Sequence, residues 1–204
     1  MQKMGMAALA ALGAWLGIAA PATAGDYTGD TLVRVQGTVV IPDSSAKVYS
    51  GGTLVPTYNA VVSTEVIPTL TITHFFTKNI AAELFCCFGR FNAKGTAGAI
   101  DGADLGSFWV FPPILTLQYH FDHIGGFKPY VGAGVQYIHF FDGGQSDLGQ
   151  KIKLDDAWGF ALQGGVDVEL GKGWYLNADV KKVWLDTDAS WGLQVIRQKS
   201  PSIL

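Results

Sequence analysis

The sequence predicts an all-β chain, an antiparallel up-and-down transmembrane β-barrel. Three observations carry that prediction. First, apolar and polar residues alternate with strand period in segment after segment between Thr31 and Asp188. In Trp158–Leu170, Trp158, Phe160, Leu162, Val166, Val168 and Leu170 share one face, and Gly159, Ala161, Gln163, Gly165, Asp167 and Glu169 share the other. A strand points successive side chains to opposite faces, so each such segment has an oily side and a polar side. Second, mean hydropathy is +0.24, yet no stretch beyond residue 24 reaches the roughly eighteen apolar residues of a spanning helix. Third, the 49% hydrophobic and 15% charged composition is oilier than the soluble norm of about 25% charged residues. Strands with one face toward lipid reconcile all three.

The first 24 residues read as a secretory signal ahead of a single domain, residues 25–204. Lys3 supplies the basic start, Met6–Ala20 the apolar stretch and Ala22-Thr23-Ala24 a small-residue cleavage site. The apolar stretch stops at Pro21, too short to span a bilayer comfortably.

Seven strands follow in order. The first, Thr31–Ile41, sets Val33, Val35 and Val39 against Arg34, Gln36 and Thr38, and a Ser/Gly/Pro-rich loop, Pro42–Thr57, closes it. The second, about Thr64–Phe75, sets Val66, Leu70 and Ile72 against Thr69, Thr71 and Thr73. Thr77-Lys78-Asn79 turns into the third, Ile80–Phe91, and a Gly-rich loop, Gly95–Gly106, leads to the fourth, Phe108–Phe121. Asp122–Gly126 turns into the fifth, Phe127–Phe141. A polar loop, Asp142–Leu154, precedes the sixth, about Asp155–Leu170, and Gly171-Lys172-Gly173 turns into the seventh, Trp174–Asp186. Long and short connections alternate, as in outer-membrane barrels with long extracellular loops and short periplasmic turns. That alternation places the chain in the outer membrane with its N-terminus in the periplasm.

Aromatics cluster near strand ends. Trp109, Tyr119, Phe121, Trp158, Trp174 and Trp184, with Phe111, Tyr137, Phe140 and Phe141, are expected in the girdles at the membrane–water interfaces. The opposite faces give the lumen set: Arg34, Gln36, Glu83, Gln118, His120, Gln136, Gln163, Asp167, Glu169, Asn177, Asp179 and Lys181. Buried charges need partners, so Arg34 and Lys181 are expected to pair with Glu83, Asp167 or Asp179. A barrel this narrow holds its own side chains or one small ligand. The lumen is therefore either a structural salt-bridge plug or a gated narrow path.

Other chemistries find little support. The basic residues are scattered and the isoelectric point is about 5.7, so nucleic acid is not an expected partner. Adjacent Cys86 and Cys87 point to opposite faces and read as packing residues. His74, His120, His123 and His139 lack metal-ligand spacing, and no metal or cofactor is expected. Asp155-Asp156 reads as a soluble loop edge, and Gly132-x-Gly134 lacks the helix of a dinucleotide site and instead relieves crowding inside the barrel. No enzyme is expected.

Trp109-Val-Phe-Pro-Pro-Ile-Leu-Thr-Leu-Gln-Tyr-His-Phe121, Lys128-Pro-Tyr-Val-Gly-Ala-Gly-Val-Gln-Tyr137 and Phe140-Phe-Asp142 resemble the OmpW family of small outer-membrane proteins. Thr77–Leu84, Trp158-Gly159, Gly164–Asp167 and Leu185–Thr187 extend the resemblance over roughly Asp30–Thr187. It implies an eight-stranded antiparallel barrel with a narrow, largely apolar lumen that admits small hydrophobic molecules. It also implies a bulky apolar constriction at Phe85, made partly polar here by Lys181. The chain departs from the family at its C-terminus, where Leu193–Arg197 offers only a stub of an eighth strand and no terminal aromatic follows. The eighth strand is expected to be truncated or atypical.

The function this reading expects is a narrow channel for passive passage of small hydrophobic molecules. Its partners would be outer-membrane lipid, those solutes and the barrel-assembly machinery. The alternatives are a structural or receptor-type barrel acting through its loops, and a soluble lipocalin-like barrel with its apolar face inward.

Overall fold

The computed structural model describes residues 18–19, 28–42, 45–50, 53–54, 59–98, 101–141, 143–144, 147, 153–171, 174–191 and 194–203. The described residues are almost wholly strand, and no helix among them is long and apolar enough to cross a membrane. In chain order the strands are β1 (Ile18–Ala19), β2 (Thr31–Pro42), β3 (Ser45–Ser50), β4 (Thr53–Leu54), β5 (Asn59–Val62), β6 (Glu65–Phe75), β7 (Ile80–Cys87) and β8 (Gly89–Ala97). They continue with β9 (Asp104–Phe111), β10 (Ile114–His120), β11 (Phe127–Phe141), β12 (Lys153–Leu154), β13 (Ala157–Gly171), β14 (Trp174–Trp191) and β15 (Gln194–Ile203).

Eight of these close a barrel in the order β2-β6-β7-β10-β11-β13-β14-β15, every neighbour antiparallel. The circle is completed where β15 returns to β2 through Ser202↔Pro42 and Ile203↔Ile41. Closure removes the free edges that hydrocarbon does not tolerate. The eighth strand corrects the expectation of a stub at Leu193–Arg197. Leu193 lies outside the described residues, but Gln194–Ile203 runs ten residues against Lys182–Trp191. The register sets Asp186 opposite Lys199 and Asp188 opposite Arg197. The strand is nevertheless atypical: Pro201, which has no N–H to donate, stands near its end opposite Trp184.

One end of the barrel carries tight turns at 76–79 and 121–126; the other carries extended hairpins. At the hairpin end β5, β8, β9 and the last residues of β11 form a second sheet above the barrel wall. Three predicted boundaries change there. The third predicted strand breaks at Phe88 and resumes as β8. The fourth splits at Pro112-Pro113, because two successive residues without N–H cannot continue a ladder. Ser45–Ser50, within the predicted loop Pro42–Thr57, pairs with β15.

The predicted faces hold. Trp158 and Phe160 are 70% and 72% exposed, while Arg34 and Lys181 are 2% exposed. A band of Val35, Leu70, Leu84, Leu115, Leu117, Val131, Val135, Leu162 and Val180 faces outward as well. Along β13 the outward row from Trp158 to Leu170, at about 3.3 Å per residue and about 40° of tilt, spans roughly 30 Å of membrane. That outward apolar face excludes the lipocalin-like alternative. Within the predicted signal, Ile18 and Ala19 pair with Val35 and Arg34; residues 1–17 and 20–24 lie outside the described residues.

Candidate functional site

The lumen is built in three layers, each from residues of inward parity. At the turn end Leu32, Phe75, Ala81 and Tyr175 form an apolar floor. Beside it, buried Lys128 donates to the Lys78 carbonyl at 3.1 Å and lies 5.1 Å from the Phe75 ring centroid.

Above the floor sits a plug of charged groups. Arg34 Nη1 donates to Glu83 Oε2 at 3.0 Å and to Thr73 Oγ1 at 2.8 Å; Nη2 donates to Asp167 Oδ1 at 3.1 Å and Oδ2 at 2.8 Å. Lys181 Nζ reaches Glu83 Oε1 at 3.1 Å and Asp179 Oδ1 at 2.5 Å. Gln163 Nε2 donates to Glu83 Oε1 and to Asp179 Oδ2, each at 2.8 Å, and Thr116 Oγ1 donates to Gln163 Oε1 at 2.8 Å. Tyr130 Oη donates to Asp179 Oδ2 at 2.7 Å, and Asn177 Nδ2 donates to Tyr130 Oη at 3.0 Å and Asp167 Oδ1 at 2.8 Å. Thr73 Oγ1 donates to Glu83 Oε2 at 3.1 Å, so Glu83 accepts four hydrogen bonds, the full complement of a carboxylate. Such satisfaction is what makes charges tolerable away from water. The predicted partners of Arg34 and Lys181 are the observed ones.

His120 lies between the rings of Phe75 and Tyr130, each 4.7 Å away between centroids, with Nε2 2.9 Å from Gln118 Oε1. Glycine makes room for this packing: a Cβ on Gly165 would stand 2.5 Å from Tyr130 Cζ and overlap the phenol oxygen. A Cβ on Gly134 would overlap the Leu115 carbonyl, so Gly132-x-Gly134 relieves crowding as expected. Arg34 Nε, Thr71 Oγ1, Gln118 Nε2 and His120 Nδ1 have no protein partner, which makes the margin of the plug the place where bound water fits.

The third layer, toward the hairpin end, is a cluster of packed apolar side chains, termed the chamber below. Phe85, Ile67, Cys87, Ile114, Ala161, Val183 and Leu185 from the barrel join Phe91, Leu105, Phe108 and Val110 from the upper sheet in one cluster, with Phe140 packed against it. Phe91 and Phe108 stack at 6.2 Å, and Phe108 meets Phe140 edge-on at 5.8 Å. Gln136 and Thr69 are buried polar residues of the same lumen. Phe85 marks the boundary with the plug: it belongs to the apolar cluster, and Lys181 Nζ lies 5.0 Å from its ring centroid. Beside the chamber the pairing of β6 with β7 stops. The β6–β7 ladder ends at Thr69↔Cys87, and the next residue up, Pro68, has no N–H. Phe88 there is outward and stacked on Phe111 at 4.8 Å.

All nine lumen residues singled out from sequence, Arg34, Glu83, Phe85, Gln118, His120, Gln163, Asp167, Asp179 and Lys181, point inward and meet in the plug or at its boundaries. Trp109, Tyr119, Phe121, Trp158, Trp174 and Trp184 all point outward. Two expectations change. Glu169 is exposed at the turn end, and Phe140 lines the chamber instead of a girdle, because β11 carries it above the wall into the upper sheet. Tyr130 and Lys128 were missed although they share parity with Gln136. Phe91 and Phe108 were missed because polarity inverts above the membrane, where Arg90, Asn92 and Lys94 face water and Phe91 and Ala93 face in.

Asp156, read as a solubility residue, ties the β12–β13 junction to β11. It accepts from Tyr137 Oη and the His139 ring, each at 2.7 Å, and from Phe140 N at 3.2 Å. The His139 hydrogen bond first, then that from Tyr137, holds its carboxyl below the usual carboxylate range. No group of three or more metal-ligating side chains occurs among the described residues.

Comparison with known proteins agrees with this architecture. The outer-membrane protein y4mB of Sinorhizobium fredii is 40% identical over 171 residues, covering 83% of this chain and 72% of that protein. The dibenzothiophene metabolism operon protein PahQ of Pseudomonas aeruginosa is 32% identical over 157 residues, 77% of this chain and 74% of that protein. The crystal structure of the outer membrane protein OprG from Pseudomonas aeruginosa superposes with a TM-score of 0.76 at 28% identity, covering 88% of this chain and 93% of that one. Residues 27–202 match the OmpW family, and the chain belongs to that family of outer-membrane β-barrels.

Proposed function

We propose that this outer-membrane barrel is a narrow channel for passive passage of small hydrophobic molecules. The observation that carries the reading is the layering of the lumen: an apolar layer shared by the barrel and the upper sheet, standing on an ionic plug whose carboxylates are all hydrogen-bonded. An apolar solute gains by entering the chamber and cannot cross the plug, since separating those buried charges around hydrocarbon costs several kcal/mol. The end of the β6–β7 pairing beside the chamber, at Pro68 and Phe88, gives the solute a sideways way into the bilayer. The name of the relative PahQ, a dibenzothiophene metabolism operon protein, fits a solute of this class. In this reading Phe85 is the constriction, the outward tryptophans and tyrosines are interfacial girdles, and Met1–Ala24 is a cleavable leader. The barrel-assembly machinery then inserts the chain.

The test is uptake of N-phenylnaphthylamine, an apolar dye, by cells with and without the chain. The chain accelerates entry, and Ala161→Trp, which fills the chamber at a buried wall position, abolishes the gain while the barrel still resists detergent until heated. Equal entry with and without the chain would leave a structural or receptor-type barrel as the better account.

A further inference from the structure

Lys181 has three N–H groups and a divided environment. Asp179 Oδ1 at 2.5 Å and Glu83 Oε1 at 3.1 Å face it from the plug. On the chamber side it meets the Phe85 ring, 5.0 Å away at the centroid. The face of an aromatic ring attracts an ammonium electrostatically, most strongly where water is excluded, and Lys181 is 2% exposed. In the channel reading, a solute that reaches the plug end of this layer displaces the Phe85 ring and meets that ammonium. A saturated hydrocarbon then leaves the cation facing methylene groups. A flat aromatic ring takes the place that Phe85 vacated and attracts the cation in the same way.

We propose, building on the channel reading above, that Lys181 with its Phe85 cover is the specificity determinant of the chamber. It selects aromatic solutes over saturated ones of the same size by exchanging one cation–π interaction for another. A saturated solute forgoes that interaction, which corresponds to a preference of about tenfold for the aromatic one.

The experiment compares initial uptake of labelled naphthalene and decalin, fused two-ring hydrocarbons of equal carbon number. The cells lack the chain or carry the wild type, Lys181→Met or Phe85→Leu. The wild type takes up naphthalene about tenfold faster than decalin after the rates of cells lacking the chain are subtracted. Lys181→Met, which keeps an unbranched apolar stem, brings the ratio to about one. Phe85→Leu keeps or raises the ratio, because the ammonium remains and its competitor ring is gone. If Lys181→Met does not reach the membrane, Phe85→Leu decides alone: loss of the ratio there would mean that Phe85 makes the selection, and overturns the assignment to Lys181. Equal uptake of the two hydrocarbons by the wild type overturns this inference and leaves the channel standing. Entry of neither above background overturns both.

Discussion

Arg34 is the most connected cation of the plug, and Arg34→Met tests whether the plug is a unit. The substitution removes four charge-assisted hydrogen bonds, to Thr73, Glu83 and both oxygens of Asp167. Glu83 keeps Lys181, Gln163 and Thr73. Asp167, whose side chain is 0% exposed, keeps the Asn177 amide. Removing one partner of a buried ion pair costs about 3–5 kcal/mol, mainly through the charge left behind. Asp167→Asn in the Arg34→Met background neutralises that charge and should recover about 2 kcal/mol. The assay is urea unfolding of the refolded barrel in lipid vesicles, followed by tryptophan emission and by the heat-dependent shift on denaturing gels. The midpoint falls in Arg34→Met and rises again in the double variant, with the slope unchanged. A loss under about 1 kcal/mol in the single variant, or a double variant no more stable than the single, would refute the reasoning that these residues form a sealed charge network.

Three further outcomes follow from the same geometry. Gly165→Ala forces its Cβ onto the Tyr130 ring and should lower stability by about 1–3 kcal/mol in the same titration. Val131→Arg, at the middle of the lipid face opposite Gly164, should cost about 2–4 kcal/mol. Asp156 has a depressed carboxyl pKa, so its contribution is present above the ordinary aspartate value of about 3.9 and is lost as pH falls through the lower folded value. Trp158, whose ring lies 4.9 Å from that of Tyr137, should therefore keep its emission from about pH 8 to 5 and change below about pH 4. Asp156→Asn should abolish that step.

Much of this protein was legible in its sequence because a lipid-facing strand obeys two rules at once, period two and outward oil. β11 was placed from end to end at Phe127–Phe141, and the nine lumen residues and six outward aromatics all fall on their predicted sides. Three things were not legible. The eighth strand carries no terminal aromatic and contains Pro201, so local cues stop at Arg197; its extension to Ile203 depends on pairing with Lys182–Trp191 and Ser45–Lys47, a long-range effect. The chamber was hidden because polarity inverts in β8, where Arg90 and Lys94 face water. A pattern read for lipid outside assigns that inverted segment no role. The partition of the lumen into floor, plug and chamber depends on which strands face each other across the barrel. Arg34 and Asp167 are 133 residues apart in sequence, and no spacing rule joins them.

The central claim is an apolar chamber standing on a closed ionic plug, and parallel measurements on one preparation test it most directly. The refolded barrel is placed in planar bilayers with lipopolysaccharide in one leaflet, and ion conductance is recorded. Entry of an apolar dye is then followed through vesicles of the same composition. The account predicts accelerated dye entry with no steady ion conductance above the protein-free bilayer, because Arg34, Glu83, Asp167 and Lys181 seal the lumen against water and ions. Steady ohmic conductance without faster dye entry would contradict it, and would mean that the lumen is an aqueous pore.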